Sequence, residues 1–336
     1  MQQKTWLSPP KHDWVQSPLM GDIDYPELDW RWGILLGTAI RDGLLEAVSR
    51  KTKPAGEVAG ELGLDRRAVF AILSALAELG ILDENEDGFR LLDEHHGPLL
   101  DDSDASYAGG RVVHRFELIG SWSKIPEILK TGEPVEDRTR PDFAGTPTMA
   151  QAMRGGAKES ADQISEMAMS RLPKSPRILD VGGGPGANAE SFARFGAEVT
   201  VFDRPEVIEV TERYLSEAGV STVCGDMNEE LPEGPFEGIY FGNTSHLYGP
   251  DENLALFERM RRSLAPGGLL ALREFVRGIS EDAALFAINM LVLTPGGGTY
   301  SAREYESWLT AAGFEEVEVA TMPGRTTVLI LARNPR

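Results

Sequence analysis

Residues 177–196 read RILDVGGGPGANAESFARFG. A short apolar strand runs into a glycine-rich turn, and the turn opens a helix. Such a turn leaves backbone N–H groups at a helix N-terminus, where a nucleotide-like ligand binds, so the stretch constrains both fold and ligand class. Gly182, Gly184 and Ala187 satisfy the pattern G-x-G-x-x-G/A, which also suits a dinucleotide. From here on strands and helices alternate. Strands are expected near 177–181, 198–202, 221–224, 237–241 and 268–273, and helices near 187–195, 206–218, 251–264, 281–293 and 302–312. That alternation predicts a parallel sheet covered on both faces. The closing FEEVEVATMPGRTTVLILAR reads as two strands about a Pro-Gly turn, hence an antiparallel edge.

The chain of 336 residues leaves room for a second domain. Residues 1–32 hold four of the six tryptophans (Trp6, Trp14, Trp30, Trp32) with Pro9, Pro10, Pro18 and Pro26. This arm has no core of its own, so its rings pack on a partner subunit or back on their own chain. Residues 33–92 read as an amphipathic helix, then helix–turn–helix with Gly63 at the turn and Asp65 as N-cap, then the hairpin LDENEDGFRLL. Three helices and a wing make a winged-helix module. DNA binding needs clustered positive charge, and the second helix offers only Arg66 and Arg67 in a chain of formal charge −20. Dimerisation fits better.

Asp83, Asn85, Asp87, Gly88 and Glu94 match a calcium-loop pattern. Against it stand Arg90, where that loop keeps a small apolar residue, and a following RLLDEHHGPLL with no evident exit helix. Residues 93–145 read as an acidic loop, helices around 107–130 and a Pro/Gly-rich linker, and 146–172 as one helix. The expected division is an arm (1–32), a winged-helix domain with linking helices (33–145) and a ligand-binding domain (146–336).

The single Cys224 excludes an intrachain disulfide and a cysteine metal cluster, and no metal site is expected. The N-terminus lacks the apolar run of a signal peptide, and AALFAINMLVL at 283–293 is too short to span a bilayer. The expectation is a cytoplasmic chain with neither nucleic acid nor membrane as partner.

Asp180 bears on the ligand. It ends the first strand beside the glycine turn, where its carboxylate would repel a pyrophosphate and favour a cation. S-adenosylmethionine has no phosphate and carries an ammonium and a sulfonium. Asp203 ends the next strand, 21 residues after Gly182, the spacing of an acid that accepts from a ribose diol. Asp226 and Met227 follow the third strand, where an acid can meet an adenine amino group and a thioether can cover its face. His246, alone of the five histidines, falls at the C-terminal end of a sheet strand. An imidazole there can take a phenolic proton near neutral pH, or simply cap a backbone carbonyl.

ILDVGGGPG, FDRPEVI, GDMNEELP, HLYGPDENLALFERMRRSLAPGG and TPGGGTYSAREYESWLTAAGF together resemble the S-adenosylmethionine-dependent O-methyltransferases with an N-terminal dimerisation domain. That family includes plant phenolic enzymes and bacterial enzymes of aromatic natural products. The resemblance covers nearly the whole chain. It implies an α/β fold with a Rossmann-like seven-stranded sheet, mostly parallel with an antiparallel C-terminal hairpin, beside a mainly helical winged-helix domain. It implies a homodimer methylating a hydroxyl of a small aromatic metabolite, with His246 as general base and Glu274 beside it. The cofactor set is Asp180, Gly182, Gly184, Gly186, Asp203, Arg204, Asp226, Met227 and Asn243, and the acceptor set is Met149, Met153, Asn289, Met290 and Leu293. Two positions depart from the family, Leu247 where an Asp is common and Thr299 where a second Glu is common. They keep carbon or nitrogen methylation, or non-methylating chemistry on the same scaffold, in view. A winged-helix regulator is disfavoured by charge, and an NAD dehydrogenase by Asp180.

Overall fold

The computed structural model describes residues 30–102, 104, 106–137, 154 and 160–336. The first part is helical, with α1 (Trp30–Arg41), α2 (Leu44–Ala47), α3 (Ala55–Leu62) and α4 (Arg66–Glu78) followed by a hairpin of β1 (Leu82–Asn85) and β2 (Gly88–Leu91). Gly63 closes α3 in a left-handed conformation, φ 67°, and the Asp65 carboxylate caps α4 by accepting from the Ala68 N–H. Leu36, Leu45, Val58, Leu73, Leu76 and Phe89 meet in one core beneath these elements. The hairpin tip closes on itself: Asn85 donates to Asp83, and the Asp87 N–H donates back to Asn85.

The segment expected to lack a helix after the hairpin forms one. Helix α5 covers Asp93–Leu100 with Pro98 inside it. A proline in a helix interior costs about 3 kcal/mol. Complete burial of Leu99, worth roughly 2 kcal/mol, and acids at 93 and 94 in the first turn offset that cost. Helices α6 (Gly109–Trp122) and α7 (Ile125–Thr131) follow, then helix α8 at residues 160–169.

The second part is built on one sheet of β3 (Arg177–Val181), β4 (Glu198–Asp203), β5 (Ser221–Cys224), β6 (Phe236–Gly242), β7 (Leu264–Glu274), β8 (Glu315–Thr321) and β9 (Val328–Arg333). Among the described residues its order is β5-β4-β3-β6-β7-β9-β8. The first five strands pair in parallel, and β9 joins antiparallel to both β7 and β8, as expected of the sequence.

Helices α8, α9 (Ala187–Arg194) and α10 (Pro205–Glu217) cover one face through Ile164, Phe192, Ile208 and Leu215. Helices α11 (Pro250–Ser263) and α13 (Ala302–Ala311) cover the other through Leu256, Phe257, Met260, Tyr305 and Leu309. Helix α12 (Glu281–Leu293) instead turns toward the first part. Its Val292 and Leu293 are buried with Ile128 of α7, against Leu118, Trp122 and Ile125. The Val135 N–H also donates to the Val292 carbonyl. Among the described residues no helix is long and apolar enough to cross a membrane.

Candidate active site

The chain winds outward from β3 through β4 to β5, then returns to β6 on the other side of β3. That reversal opens a crevice at the C-terminal strand ends, the place where open α/β sheets hold ligands. The glycine loop lines it. Gly182, Gly184 and Gly186 take φ values of 65°, 50° and 76°, a region costly for residues with a Cβ. A Cβ on Gly182 would also stand 3.0 Å from the Met227 methyl and 3.2 Å from the Thr244 hydroxyl. The loop, the segment after β5 and the segment after β6 therefore converge on one spot.

Asp203 ties this loop to β4. One of its oxygens accepts from the Gly184 N–H and the other from the Arg204 N–H, each at 2.8 Å. Burial pushes its pKa up, and those two backbone bonds pull it back. Each oxygen keeps a further lone pair for a ligand hydroxyl. Asp226 accepts from the backbone and side chain of Asn228, which also donates to Tyr248. Asn243 sits at the end of β6 with φ 53°, and its buried side-chain oxygen has no partner. Asp180 lies deeper, beneath Gly183: both carboxylate oxygens are buried and without hydrogen bonds. Burial and the nearby Asp203 push its pKa well above the ordinary carboxylate value. No ligand reaches it without the loop moving.

The guanidinium groups flanking the loop are spoken for. Arg204 pairs with Glu206 at 3.5 Å. Arg154 donates to the Pro185 carbonyl at 2.7 Å and to Glu190 at 2.6 Å, while lying over the Tyr214 ring at 4.2 Å. A phosphate-bearing dinucleotide would find these charges already matched. A crevice of left-handed glycines, a thioether wall, an acid at ribose spacing and an unpartnered amide oxygen fits an adenosyl ligand without phosphate.

His246 stands beside this crevice on a single 3-10 turn, Ser245–Leu247, after β6. Its Nδ1 lies 2.8 Å from Glu274 Oε2. Glu274 also accepts from the Thr244 N–H at 3.0 Å and the Phe275 N–H at 3.3 Å, so the acid that orients the ring is itself held. A carboxylate at Nδ1 fixes the proton there and leaves the Nε2 lone pair for an incoming proton.

Buried groups hold the turn from behind. Ser245 donates to Asn253 at 2.6 Å, and the Asn253 amide donates to the carbonyls of Ser245, Tyr248 and Gly249. In front, the Gly298 N–H donates to the His246 carbonyl, and a Cβ on Gly297 would come within 2.4 Å of that oxygen. Tyr300 donates to the Tyr248 carbonyl, and burial pushes its pKa up to about 12. Thr299 turns away and donates to the Ala283 carbonyl, so Glu274 is the carboxylate hydrogen-bonded to the histidine.

Phe286 of α12 meets the His246 ring edge-on, with centroids 4.7 Å apart, and stacks on Phe275 at 4.2 Å. Asn289 lies one turn further along α12 and accepts from the Trp122 indole N–H at 2.6 Å. Met290 is buried. Leu293 belongs to the seam between α12 and α7, which makes it core packing rather than an open wall. Met149 and Met153 lie outside the described residues. The sequence reading missed Trp122, Phe275, Phe286 and Arg154. Trp122 ends an amphipathic helix, and nothing local marks it out.

Comparison with known proteins gives the family and the fold. Residues 146–315 match the family model of the O-methyltransferase domain. The chain is 27% identical to the tetracenomycin polyketide synthesis 8-O-methyl transferase TcmO of Streptomyces glaucescens, over 97% of this chain and 99% of that one. It is 29% identical to the 3-hydroxy-5-methyl-1-naphthoate 3-O-methyltransferase of Streptomyces sahachiroi, over 88% and 90%. Its fold is similar to that of human N-acetylserotonin methyltransferase, solved with its methyl donor, at a TM-score of 0.71 and 20% identity over 91% and 95% of the two chains. The chain belongs to the O-methyltransferase domain family and is an S-adenosylmethionine-dependent O-methyltransferase.

Proposed function

We propose that the chain methylates a hydroxyl of a small aromatic metabolite, with His246 as the general base. The observation that carries this is the His246–Glu274 pair at the rim of the glycine-loop crevice, 2.8 Å apart and both buried. When bound, S-adenosylmethionine would supply an electrophilic methyl carbon with a neutral thioether as leaving group, so the hydroxyl that takes the methyl has only its proton to lose. His246 Nε2 takes the hydroxyl proton as the oxygen commits its lone pair, and Glu274 holds the ring and balances the imidazolium that forms. Asp203 would receive the ribose hydroxyls. Asp226 and Met227 would receive the adenine edge and face, with Arg204 and Asn243 closing the rim. Gly182 and its neighbours let the amino-acid end approach the backbone, and Asp180 supports the loop from below. Phe275, Phe286, Asn289 and Met290, with Met149 and Met153, would enclose a flat ring and keep water from the transferring carbon. The two Streptomyces relatives, named for a polyketide and a naphthoate, support an aromatic acceptor.

The same proposal takes residues 33–145 as a winged-helix domain through which two copies pair, residues 1–32 as its arm, 146–336 as the methyltransferase domain, and the cytoplasm as the site of action. Trp30, Phe70 and Leu79 support pairing, because each leaves a large apolar surface exposed on the single chain.

The test is transfer of labelled methyl to a panel of hydroxylated aromatics by the wild type and by His246→Ala. Label on oxygen, reduced at least a hundredfold in the variant, is the expected result. Label on carbon or nitrogen, or a variant as fast as the wild type, would overturn the assignment of the base.

A further inference from the structure

The Trp122–Asn289 contact has a direction, and the direction says something about the acceptor. An indole N–H only donates. The Asn289 atom 2.6 Å from Trp122 Nε1 is therefore the side-chain carbonyl oxygen. Trp122 cannot swing aside freely, since it packs with Leu118 and Ile125 against Ile128, Val292 and Leu293. The amide of Asn289 is locked, with its oxygen toward α6 and its NH2 group on the other side. Among the described residues no hydrogen bond engages that NH2. It stands one turn along α12 from Phe286, and residues three apart share a helix face. Phe286 is the ring that touches His246. The Asn289 donors thus belong to the α12 face that carries the ring against His246.

Resting on the aromatic-hydroxyl reading above, we infer that the acceptor carries a hydrogen-bond-accepting oxygen, a ring or aryl carbonyl, near the hydroxyl that is methylated. The Asn289 NH2 recognises that oxygen, and Trp122 determines that it is a donor that is presented. A half-buried donor left unmatched loses its water on ligand entry with nothing in return, which is how a polar site rejects analogues lacking one atom. A carbonyl oxygen satisfies it. A bare ring or an amine substituent does not.

The experiment compares 1-hydroxyanthraquinone with 1-hydroxyanthracene, which share the three-ring frame and differ in the carbonyls. Wild type is expected to prefer the quinone in kcat/KM by about tenfold or more, the worth of one hydrogen bond to a partly buried donor. Asn289→Asp keeps an oxygen for the indole and replaces the donors with an acceptor, so the preference should fall to near unity. Trp122→Phe frees the amide to turn, and the preference should fall part of the way. Retention of the wild-type thermal midpoint in each variant separates specificity from misfolding. If wild type methylates both rings equally, or if Asn289→Asp keeps the full preference, the inference is wrong while hydroxyl methylation stands. If it methylates neither ring but still binds S-adenosylhomocysteine, the aromatic-hydroxyl reading fails first and the inference goes with it.

Discussion

Strands β3 and β7 each carry a buried carboxylate at the crevice end, and the two could hardly be kept more differently. Glu274 is 0% exposed and accepts three hydrogen bonds, from Thr244, His246 and Phe275. Asp180 is 1% exposed and accepts none, with the like charge of Asp203 nearby. Position at a strand end is common to both. Hydrogen-bond supply separates an acid anchored well enough to orient its neighbour from one that burial and a like charge push toward its neutral form.

Three substitutions would break or sharpen this contrast. The largest effect is expected from Glu274→Gln. An amide facing His246 Nδ1 no longer favours the tautomer with Nε2 free, and kcat should fall about a hundredfold. Steady-state rates, with S-adenosylhomocysteine titration as a control for the crevice, would check this. A rate within a few-fold of wild type would mean that the pair does not orient the base.

Gly183→Ala comes next. Its Cβ would lie 2.9 Å from both the Asp180 carboxyl carbon and a Val201 methyl, so the loop must lift. Overpacking of this kind costs about 1–3 kcal/mol, readable as a lower denaturation midpoint.

The smallest effect concerns pH. Because the Asp180 pKa is raised on folding, the folded chain keeps a proton that the unfolded chain has lost. Its contribution to stability should therefore decline as pH rises from about 4 toward the raised pKa, then level off. Asp180→Asn should remove that part of the slope in urea titrations across the range. An identical slope in the variant would place the titration elsewhere.

Much of the fold was legible because its signals are local. The glycine turn, the alternation of apolar strands with amphipathic helices, and the Pro-Gly turn near the C-terminus each act within a few residues. Asp203 was legible for the same reason, as a spacing from Gly182, and His246 as a strand end. What escaped depends on contacts far apart in the chain. Helix α5 contains a proline, and only the burial of Leu99 shows why it forms. Asp180 was legible as an acid at the glycine loop, but its position beneath Gly183 depends on how that loop folds back. Leu293 reads as an apolar residue at helical spacing whether it lines a slot or a seam. The Trp122–Asn289 bond joins residues 167 positions apart, and neither carries a motif.

The α6–α12 seam has a consequence for how acceptor preference can change over time. Because Asn289 is latched by Trp122 of the helical first part, the proposed acceptor recognition is heritable in two pieces. Recombination between relatives at a point between α7 and α8 would join one parent's α12 to the other's α6. The hybrid would inherit one parent's crevice chemistry and neither parent's latch. Lineages of such enzymes are then expected to diversify by paired changes across the seam, and engineering that edits the catalytic half alone addresses half of the lock.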